Sequence, residues 1–179
     1  MDELGKEIDK LSNQLTDLRI ELWREHTLFT WQWWMLVVIC FVFLILLFVF
    51  VKKEKALSTV AFIGIVYIIN KNLDDVATAL DWYDYRIQLE PIIPTMLPAN
   101  LFIIPIGFGV LYARYEPWKS FLVSIIIFAS LVSFIALPLM KFVEIYIEKN
   151  WNSILSFVSL LAITIISKLI IDFLKFKNV

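Results

Sequence analysis

The chain has few of the residues on which most enzymes and secreted domains depend. It has one cysteine, Cys40, which can form no internal disulfide. Its one histidine, His26, completes neither a metal site nor a catalytic triad by itself. The motifs GxSxG, HExxH, CxxC and the Walker loop are all absent. We therefore predict no catalytic residue, no bound metal and no cofactor.

Charge is also scarce. Charged residues make up 18% of the chain and its net charge is −1, whereas about 25% of the residues in soluble globular proteins are charged. No basic surface indicates a nucleic-acid partner. What the chain has instead is 60% hydrophobic and 16% aromatic residues, a composition typical of a membrane protein with the lipid bilayer as a partner. The N-terminal segment is rich in charge and resembles no signal peptide, so we expect it to remain in the mature chain.

Long uncharged stretches predict the spans, because about 20 mostly apolar helical residues cross a bilayer. Four stretches meet or nearly meet that length: residues 31–51, 91–113, 120–140 and 151–167. The last extends further if the long side chain of Lys168 reaches the headgroups. A fifth stretch, residues 56–70, is too short alone but crosses if the helix continues to Leu80.

We therefore predict an all-α fold, a polytopic membrane helical bundle of five transmembrane helices in residues 31–179. The predicted spans lie near residues 31–51, 56–80, 97–113, 118–140 and 151–173. An amphipathic or coiled-coil helix in residues 1–30 precedes them.

The positive charges predict an orientation, because short cytoplasmic loops collect lysine and arginine. With five spans, one side receives Lys52, Lys53, Lys55, Arg114, Lys119, Lys168, Lys175 and Lys177. The other side receives Arg24, Lys71, Arg86, Lys141 and Lys149. This bias predicts a multi-pass protein of the cell membrane with its N-terminus outside and its C-terminus in the cytoplasm.

Apolar residues in the N-terminal segment alternate at spacings of three and four, as in an a/d heptad seam. The seam consists of Met1, Leu4, Ile8, Leu11, Leu15, Leu18, Leu22 and Phe29, and Glu25 is the one polar residue that interrupts it. One interpretation is a parallel coiled coil that makes a homo-oligomer and runs directly into the first span, since membrane tethering raises the local concentration. The other is an amphipathic helix that lies on the headgroups with its leucines down.

Charged residues follow Ile69 directly, inside the predicted second span. On a continuing helix one face carries Tyr67, Lys71, Asp74, Thr78, Asp81 and Tyr85. Lys71 reaches Asp74 at i+3 and Asp75 at i+4, so one carboxylate is left unpaired. Each charge at span depth costs about 2.5–3.5 kcal/mol unless it faces protein or water. The second span is therefore predicted to line a polar vestibule open to the outer side.

The five-span topology brings further residues to that side. Asn100 begins the third span there, and Lys141 and Glu144 end the fourth. Residues 91–98 carry three prolines and should not form a regular helix. Further along, Pro105 and Pro138 should kink their helices, and Gly107 and Gly109 should allow close backbone contacts.

Aromatic side chains mark the predicted boundaries, among them Trp82, Tyr85 and Trp151. Amphipathic rings prefer the headgroup level, which favours an interfacial belt. An aromatic box of Trp82, Tyr83 and Tyr85 that binds a ligand is the alternative.

Three interpretations of the acidic cluster are open. The first is an ion-pair network that holds the helices together. In the second, a non-enzymatic protein uses the vestibule for sensing or for passage of a small cation or polar ligand. The third is a membrane-embedded enzyme for a lipid headgroup or isoprenoid phosphate, with a divalent metal at Asp74 and Asp75. A DDxxD motif is absent because Thr78 occupies its last place. We favour a non-enzymatic protein with a vestibule.

Several stretches resemble a family of small, uncharacterised multi-spanning membrane proteins of spore-forming Gram-positive bacteria. They are LRIELWREHTLFTWQWW, LDDV, WYDYRIQLEPIIPTMLP, YEPWKSF and FIALPLMKFVEIYIEKNW. The resemblance implies an aspartate in the second span, aromatics in the next loop and prolines before the third span. In this chain the corresponding residues are Asp74 or Asp75, Trp82, Tyr85, Pro91, Pro94 and Pro98. It implies about five spans and no particular activity.

Overall fold

A computed structural model describes residues 2–176, and helices make up most of it, which confirms the all-α fold class. Met1 of the heptad seam and residues 177–179 of the predicted membrane domain lie outside the described residues.

The helices and strands follow one another in this order: α1 (Asp2–His26), α2 (Trp31–Phe50), α3 (Lys53–Ala79), β1 (Tyr83–Tyr85), a π-helical turn (Pro98–Ile103) leading into α4 (Ile104–Arg114), α5 (Trp118–Leu131), a second π-helical turn (Val132–Ala136) leading into α6 (Leu137–Phe142), β2 (Tyr146–Glu148) and α7 (Ser153–Phe176).

Four helical segments are long and apolar enough to cross a membrane: Trp31–Phe50, Lys53–Ala79, Trp118–Phe142 and Ser153–Leu174. The second of them runs past Ile69 without a break, as the sequence predicted. A shorter apolar helix, Pro98–Arg114, corresponds to the predicted third span. Four membrane-length helices are therefore established by length and composition.

The N-terminal helix does not run directly into α2, so that prediction is wrong. The chain turns between His26 and Trp31, where Phe29 adopts a positive φ of 62°. Phe29 therefore lies outside α1, its predicted place in the heptad seam is wrong, and the seam of α1 ends at Leu22. Thr30 caps α2 by accepting a hydrogen bond from the Trp33 N–H at 3.3 Å. Trp23 at the base of α1 donates its indole N–H to the Leu89 carbonyl at 3.2 Å. These contacts fix the base of α1 against the loop that precedes α4.

The predicted polar face of the second span ends earlier than the sequence suggested. Helix α3 stops at Ala79, and Asp81 has a positive φ of 56° just beyond it. Asp81 and Tyr85 therefore lie outside the helix. The prediction that the polar helix face continues past Thr78 is wrong. The chain reverses here and returns as a strand towards the face that it has just left.

Two short strands join distant loops. β1 pairs antiparallel with β2, and Tyr83 lies opposite Glu148 and Tyr85 opposite Tyr146. Because β1 follows α3 and β2 follows α6, both helices end on the same side of the bundle. We call this side the Asp74 end.

At the opposite side, Lys55 near the start of α3 donates to the Ala113 carbonyl at 3.0 Å. The Lys168 ammonium of α7 lies there as well, 4.9 Å from the centre of the Trp118 ring. We call this side the Lys168 end. The side chain of Lys168 is 5% exposed and points into the bundle, so the expectation that it reaches out to the headgroups is wrong.

The core lies where α3, α4, α5 and α7 meet. Phe62 stacks on Tyr112 with ring centres 4.4 Å apart, and Phe121 packs edge-on against both rings. Helices α3 and α4 approach closely at Gly109, where a Cβ atom would overlap the side chain of Ile63. The predicted close contact at this glycine is confirmed.

Both predicted distortions at proline take the form of π-helical turns. In the first turn the Ile104 N–H bonds to the Ala99 carbonyl, and in the second the Leu137 N–H bonds to the Val132 carbonyl, five residues back in each case. A proline follows each turn, since its ring clashes with the carbonyl four residues earlier and removes the normal hydrogen bond. Such wide turns are frequent at functional sites.

Candidate functional site

The candidate site is centred on the carboxyl group of Asp74, which lies one turn before the end of α3 and is 4% exposed. Its Oδ1 atom accepts hydrogen bonds from the hydroxyl groups of Tyr83 at 2.7 Å and Tyr85 at 3.0 Å. Its Oδ2 atom accepts one from the amide nitrogen of Asn100. The Asn100 Oδ1 atom in turn accepts from the Asn70 amide at 2.5 Å.

Local structure explains how these donors reach one carboxylate. Asn70 and Asp74 are four residues apart on α3, so they share a helix face. Tyr83 and Tyr85 alternate on β1, which places both on the same side of the strand. Pairing of Tyr85 with Tyr146 fixes the register of that strand. The site therefore assembles from the end of α3, the strand pair and the first π-helical turn.

The two tyrosines stay protonated and keep donating. Burial, reinforced by the negative charge of Asp74, raises the pKa of Tyr83 and Tyr85 well above the ordinary tyrosine value. Burial also raises the pKa of Tyr146, with the charges of Glu148 and Asp74 as further causes.

The neighbouring acid Asp75 is in a different environment. Its side chain is 47% exposed and forms a salt bridge with Lys71 on the same helix. Within residues 2–176, Asp74 has no salt bridge of its own, and its direct partners are the neutral Tyr83, Tyr85 and Asn100. The prediction that one carboxylate is paired and the other is not is therefore confirmed, with Asp75 as the paired one.

A cavity of about 90 Å³ lies beside the Asp74 carboxylate. Aromatic and thioether side chains form much of its wall: Tyr83, Tyr85, Met96, Met140, Tyr146 and Trp151. Both π-helical turns contribute as well, through Ala99, Ile103, Val132 and Ala136. The cavity therefore combines one buried carboxylate with a mostly carbon-lined wall.

The rings are held in contact with one another. The centre of the Tyr83 ring lies 5.5 Å from that of Tyr146 and 5.8 Å from that of Trp151. Trp151 also stacks on Trp82 at 5.4 Å and donates its indole N–H to the Ser156 hydroxyl at 2.8 Å. Of the three residues in the predicted aromatic box, Tyr83 and Tyr85 line the cavity and Trp82 does not.

Other predicted residues lie outside the cavity. Thr78 donates its hydroxyl to the Asp74 backbone carbonyl at 2.8 Å. Asp81 pairs with Lys149, and Lys141 pairs with Glu148 at 2.7 Å. Glu144 occupies a turn with a positive φ of 59°. These residues fasten the loops of the Asp74 end rather than lining the vestibule.

Sequence reasoning missed several members of the site, namely Asn70, Met96, Met140 and Tyr146. The i−4 spacing of Asn70 from Asp74 was a usable signal. Tyr146 gave no such signal, because the pairing of two three-residue strands from distant loops carries no local pattern.

A shared metal site at Asp74 and Asp75 finds no support in this geometry. One carboxylate faces the cavity, whereas the other pairs with Lys71 at the surface. Among residues 2–176, no group of three or more His, Cys, Asp or Glu side chains is arranged to hold a metal ion.

The seam of α1 is exposed along its length. No residue of this helix is buried, and the exposed fraction of the seam side chains ranges from 39% at Leu22 to 64% at Leu4. The remaining members, Ile8, Leu11, Leu15 and Leu18, lie between these values.

Comparisons with family models, with curated proteins and with solved structures found no match for this chain. The family resemblance seen in the sequence therefore stays a prediction.

Proposed function

We propose that this protein is a non-enzymatic, five-span integral membrane protein that holds a small cationic ligand at Asp74, for sensing or for passage of that ligand. One observation carries the proposal: a buried carboxylate borders a cavity, and its direct hydrogen-bond partners among the described residues are all neutral donors.

The cost of burying the Asp74 carboxylate favours a bound cation as a further partner of this group. Burying a carboxylate is costly, and hydrogen bonds from Tyr83, Tyr85 and Asn100 offset only part of that cost. A carboxylate has about four positions for accepted hydrogen bonds, and these donors use three of them. A cation in the cavity would supply the remaining contact and the compensating charge.

Five crossings are supported by the contacts of the helix at residues 98–114. Asn100 near its start bonds to Asp74 at one end of the bundle. Ala113 near its finish accepts from Lys55 at the other end. The segment thus runs between the same two levels as α3, which favours counting it as a span despite its shorter length.

Lysines that the sequence assigned to opposite sides of the membrane lie at opposite ends of the bundle. Lys55 and Lys168 lie at the Lys168 end, whereas Lys141 and Lys149 pair with acids at the Asp74 end. Lys55 and Lys168 belong to the larger lysine and arginine group, which favours a cytoplasmic location for the Lys168 end. The Asp74 cavity and the N-terminus would then face outside.

Self-association through α1 is supported by its exposed seam. With Ile8, Leu15 and Leu22 at position a, Glu21 falls at g and His26 at e of the next heptad. In a parallel, in-register pair, Glu21 of one copy faces His26 of the other, and an imidazole N–H can donate a hydrogen bond to that carboxylate. This pairing favours a second copy of this chain in parallel orientation.

Deleting residues 1–22 tests the self-association. We expect the oligomer to become a smaller species, because the deletion removes the whole seam while leaving Trp23 to anchor the loop. The measurement is the protein mass in mild detergent by light scattering. An unchanged mass would reject the coiled coil and favour a helix that lies on the membrane surface.

Replacing Asp74 tests the site itself. We expect Asp74→Asn to abolish a cation-dependent rise in the thermal unfolding midpoint, measured with sodium, potassium, ammonium and trimethylammonium chlorides at constant ionic strength. Asp75→Asn is the matched control, since this neighbour is exposed and lies outside the cavity, and it should respond as the wild type does. If the wild type responds to no cation, or if both variants respond alike, the carboxylate only holds the helices together.

A further inference from the structure

We infer that the ligand of the Asp74 cavity is a small alkylammonium group rather than a metal ion, an inference that rests on the proposed function. It follows from the chemistry of the wall, from the size of the cavity and from a second aromatic site in the same molecule.

The wall consists mainly of rings and carbon, and Asp74 is its one charged oxygen donor among the lining residues. Tyr83, Tyr85, Tyr146 and Trp151 line the cavity, and such rings attract cations. The other polar residues of the lining are neutral: Asn70, Asn100, Ser156 and Ser159. Hard metal ions need several oxygen ligands, and their affinity depends on how many of these are charged. An alkylammonium group needs fewer oxygens, because its methyl groups bury apolar surface against the rings.

At the Lys168 end, the same protein holds an ammonium group between aromatic rings and a carboxylate. There a primary ammonium lies 4.9 to 5.3 Å from the ring centres of Tyr112, Trp118 and Phe121. Its Nζ atom lies 3.3 Å from the Asp172 carboxylate. At the Asp74 end the rings and the carboxylate are present without a lysine among the residues that line the cavity. A ligand ammonium would take the place that Lys168 takes at the other end.

The size of the cavity limits the ligand. An apolar cavity of about 150 Å³ accommodates benzene, which has six heavy atoms. By the same proportion, the 90 Å³ beside Asp74 accommodates about four heavy atoms. Trimethylammonium has one nitrogen and three carbons and retains an N–H that can donate to Asp74. Tetraethylammonium, with its much longer arms, should be excluded.

Calorimetric titration of the detergent-solubilised full chain with trimethylammonium chloride tests this inference, with sodium chloride and tetraethylammonium chloride as comparisons. We expect saturable binding of trimethylammonium alone. Tyr146→Leu should weaken it about two- to thirty-fold, the range expected for one lost cation–π contact. Tyr146→Phe keeps the ring and should stay within about two-fold of the wild type.

Tyr146 suits this test because its hydroxyl does not bond to Asp74, so the carboxylate keeps its described donors in both variants. Tyr115→Leu is the control for a lost ring, since Tyr115 lies at the Lys168 end and is 39% exposed. It should leave the affinity unchanged.

Two results would overturn the inference in distinguishable ways. Sodium binding that needs Asp74 but is unaffected by Tyr146→Leu would reject the alkylammonium ligand and leave the proposed function intact. Absence of any Asp74-dependent cation binding would reject both.

A methylated ammonium can arrive free in solution, with an N–H for Asp74, or as the quaternary headgroup of a choline lipid, which has no N–H and would meet the carboxylate through its charge alone. Titration in nanodiscs of phosphatidylglycerol and of phosphatidylcholine, with tetraethylammonium as the measure of how strongly each disc surface attracts cations, separates the two sources. Weaker apparent binding in the choline discs beyond this difference in surface attraction would support a lipid headgroup as the occupant. Equal binding in both would support a free alkylammonium ligand.

Discussion

Asp74 and Lys168 are both buried charged side chains, but the protein stabilises them in different ways. Asp74 is surrounded by neutral hydroxyl and amide donors and borders a cavity. Lys168 is surrounded by three aromatic rings and has Asp172 as an ionic partner. Each is 4% exposed, so depth of burial alone does not separate them.

The two charged groups differ in which side chains stabilise them and in where those side chains lie in the chain. The Lys168 ammonium finds its counter-charge four residues along its own helix, where Asp172 is partly open to solvent. The Asp74 carboxylate depends on side chains from other segments, namely β1 and the first π-helical turn. A buried charge with its own counter-ion is a structural feature, whereas one held only by neutral donors beside a cavity is suited to accept a ligand.

The largest expected effect comes from removing a neutral donor at the Asp74 end. Asn100→Leu leaves one carboxylate oxygen and the Asn70 amide unpartnered inside the bundle. We expect the free energy of unfolding to fall by about 3 kcal/mol, because a hydrogen bond to a buried charged group contributes about 1.5–3 kcal/mol and a second buried polar group also loses its partner. Reversible denaturation in mixed micelles measures this value.

Asn72→Leu is the matched control for this substitution. Asn72 is exposed and bonds only to the Ile68 carbonyl of its own helix at 2.7 Å among the described contacts. We expect its replacement to change the free energy of unfolding by no more than about 0.5 kcal/mol. Equal effects of the two substitutions would contradict the view that Asp74 depends on Asn100.

The sequence predicted the part of the site that rests on periodicity and topology. The 3.6-residue period placed Asp74 on an inward face of a helix that continues past Ile69, and the number of spans placed Asn100 at the same end. In the structure, the Asn100 amide donates a hydrogen bond to the Asp74 carboxylate. Orientation and the fifth crossing stay predictions.

The remaining parts could not be predicted, because tertiary contacts decide them. Asp81 and Tyr85 fit the helical stripe by spacing, but the positive φ at Asp81 ends the pattern and sends Tyr85 back in a strand. The position of Lys168 near the end of an apolar stretch suggests a side chain that reaches the headgroups. In the fold, three rings from α4 and α5 surround its ammonium instead. The local sequence predicts neither the turn at Asp81 nor the rings around Lys168.

The smaller expected effect comes from removing the charge at the Lys168 end. Lys168→Met replaces a buried ammonium with an apolar side chain of similar length among the same rings, and Asp172 can remain hydrated at 35% exposure. Replacing buried ionic partners by well-packed apolar groups is often close to neutral. We therefore expect a change of no more than about 1 kcal/mol in the free energy of unfolding, measured in the same micelles.

Asp172→Leu provides the opposite control, since it keeps the ammonium buried and removes its counter-ion. It should destabilise the protein more than Lys168→Met does, because an uncompensated buried charge is the costly state. The rings of Tyr112, Trp118 and Phe121 would then be the main remaining stabilisation of the ammonium among the described contacts. If Lys168→Met instead cost as much as Asn100→Leu, the two ends would depend equally on their buried charges, and the proposed distinction between a structural charge and a ligand site would fail.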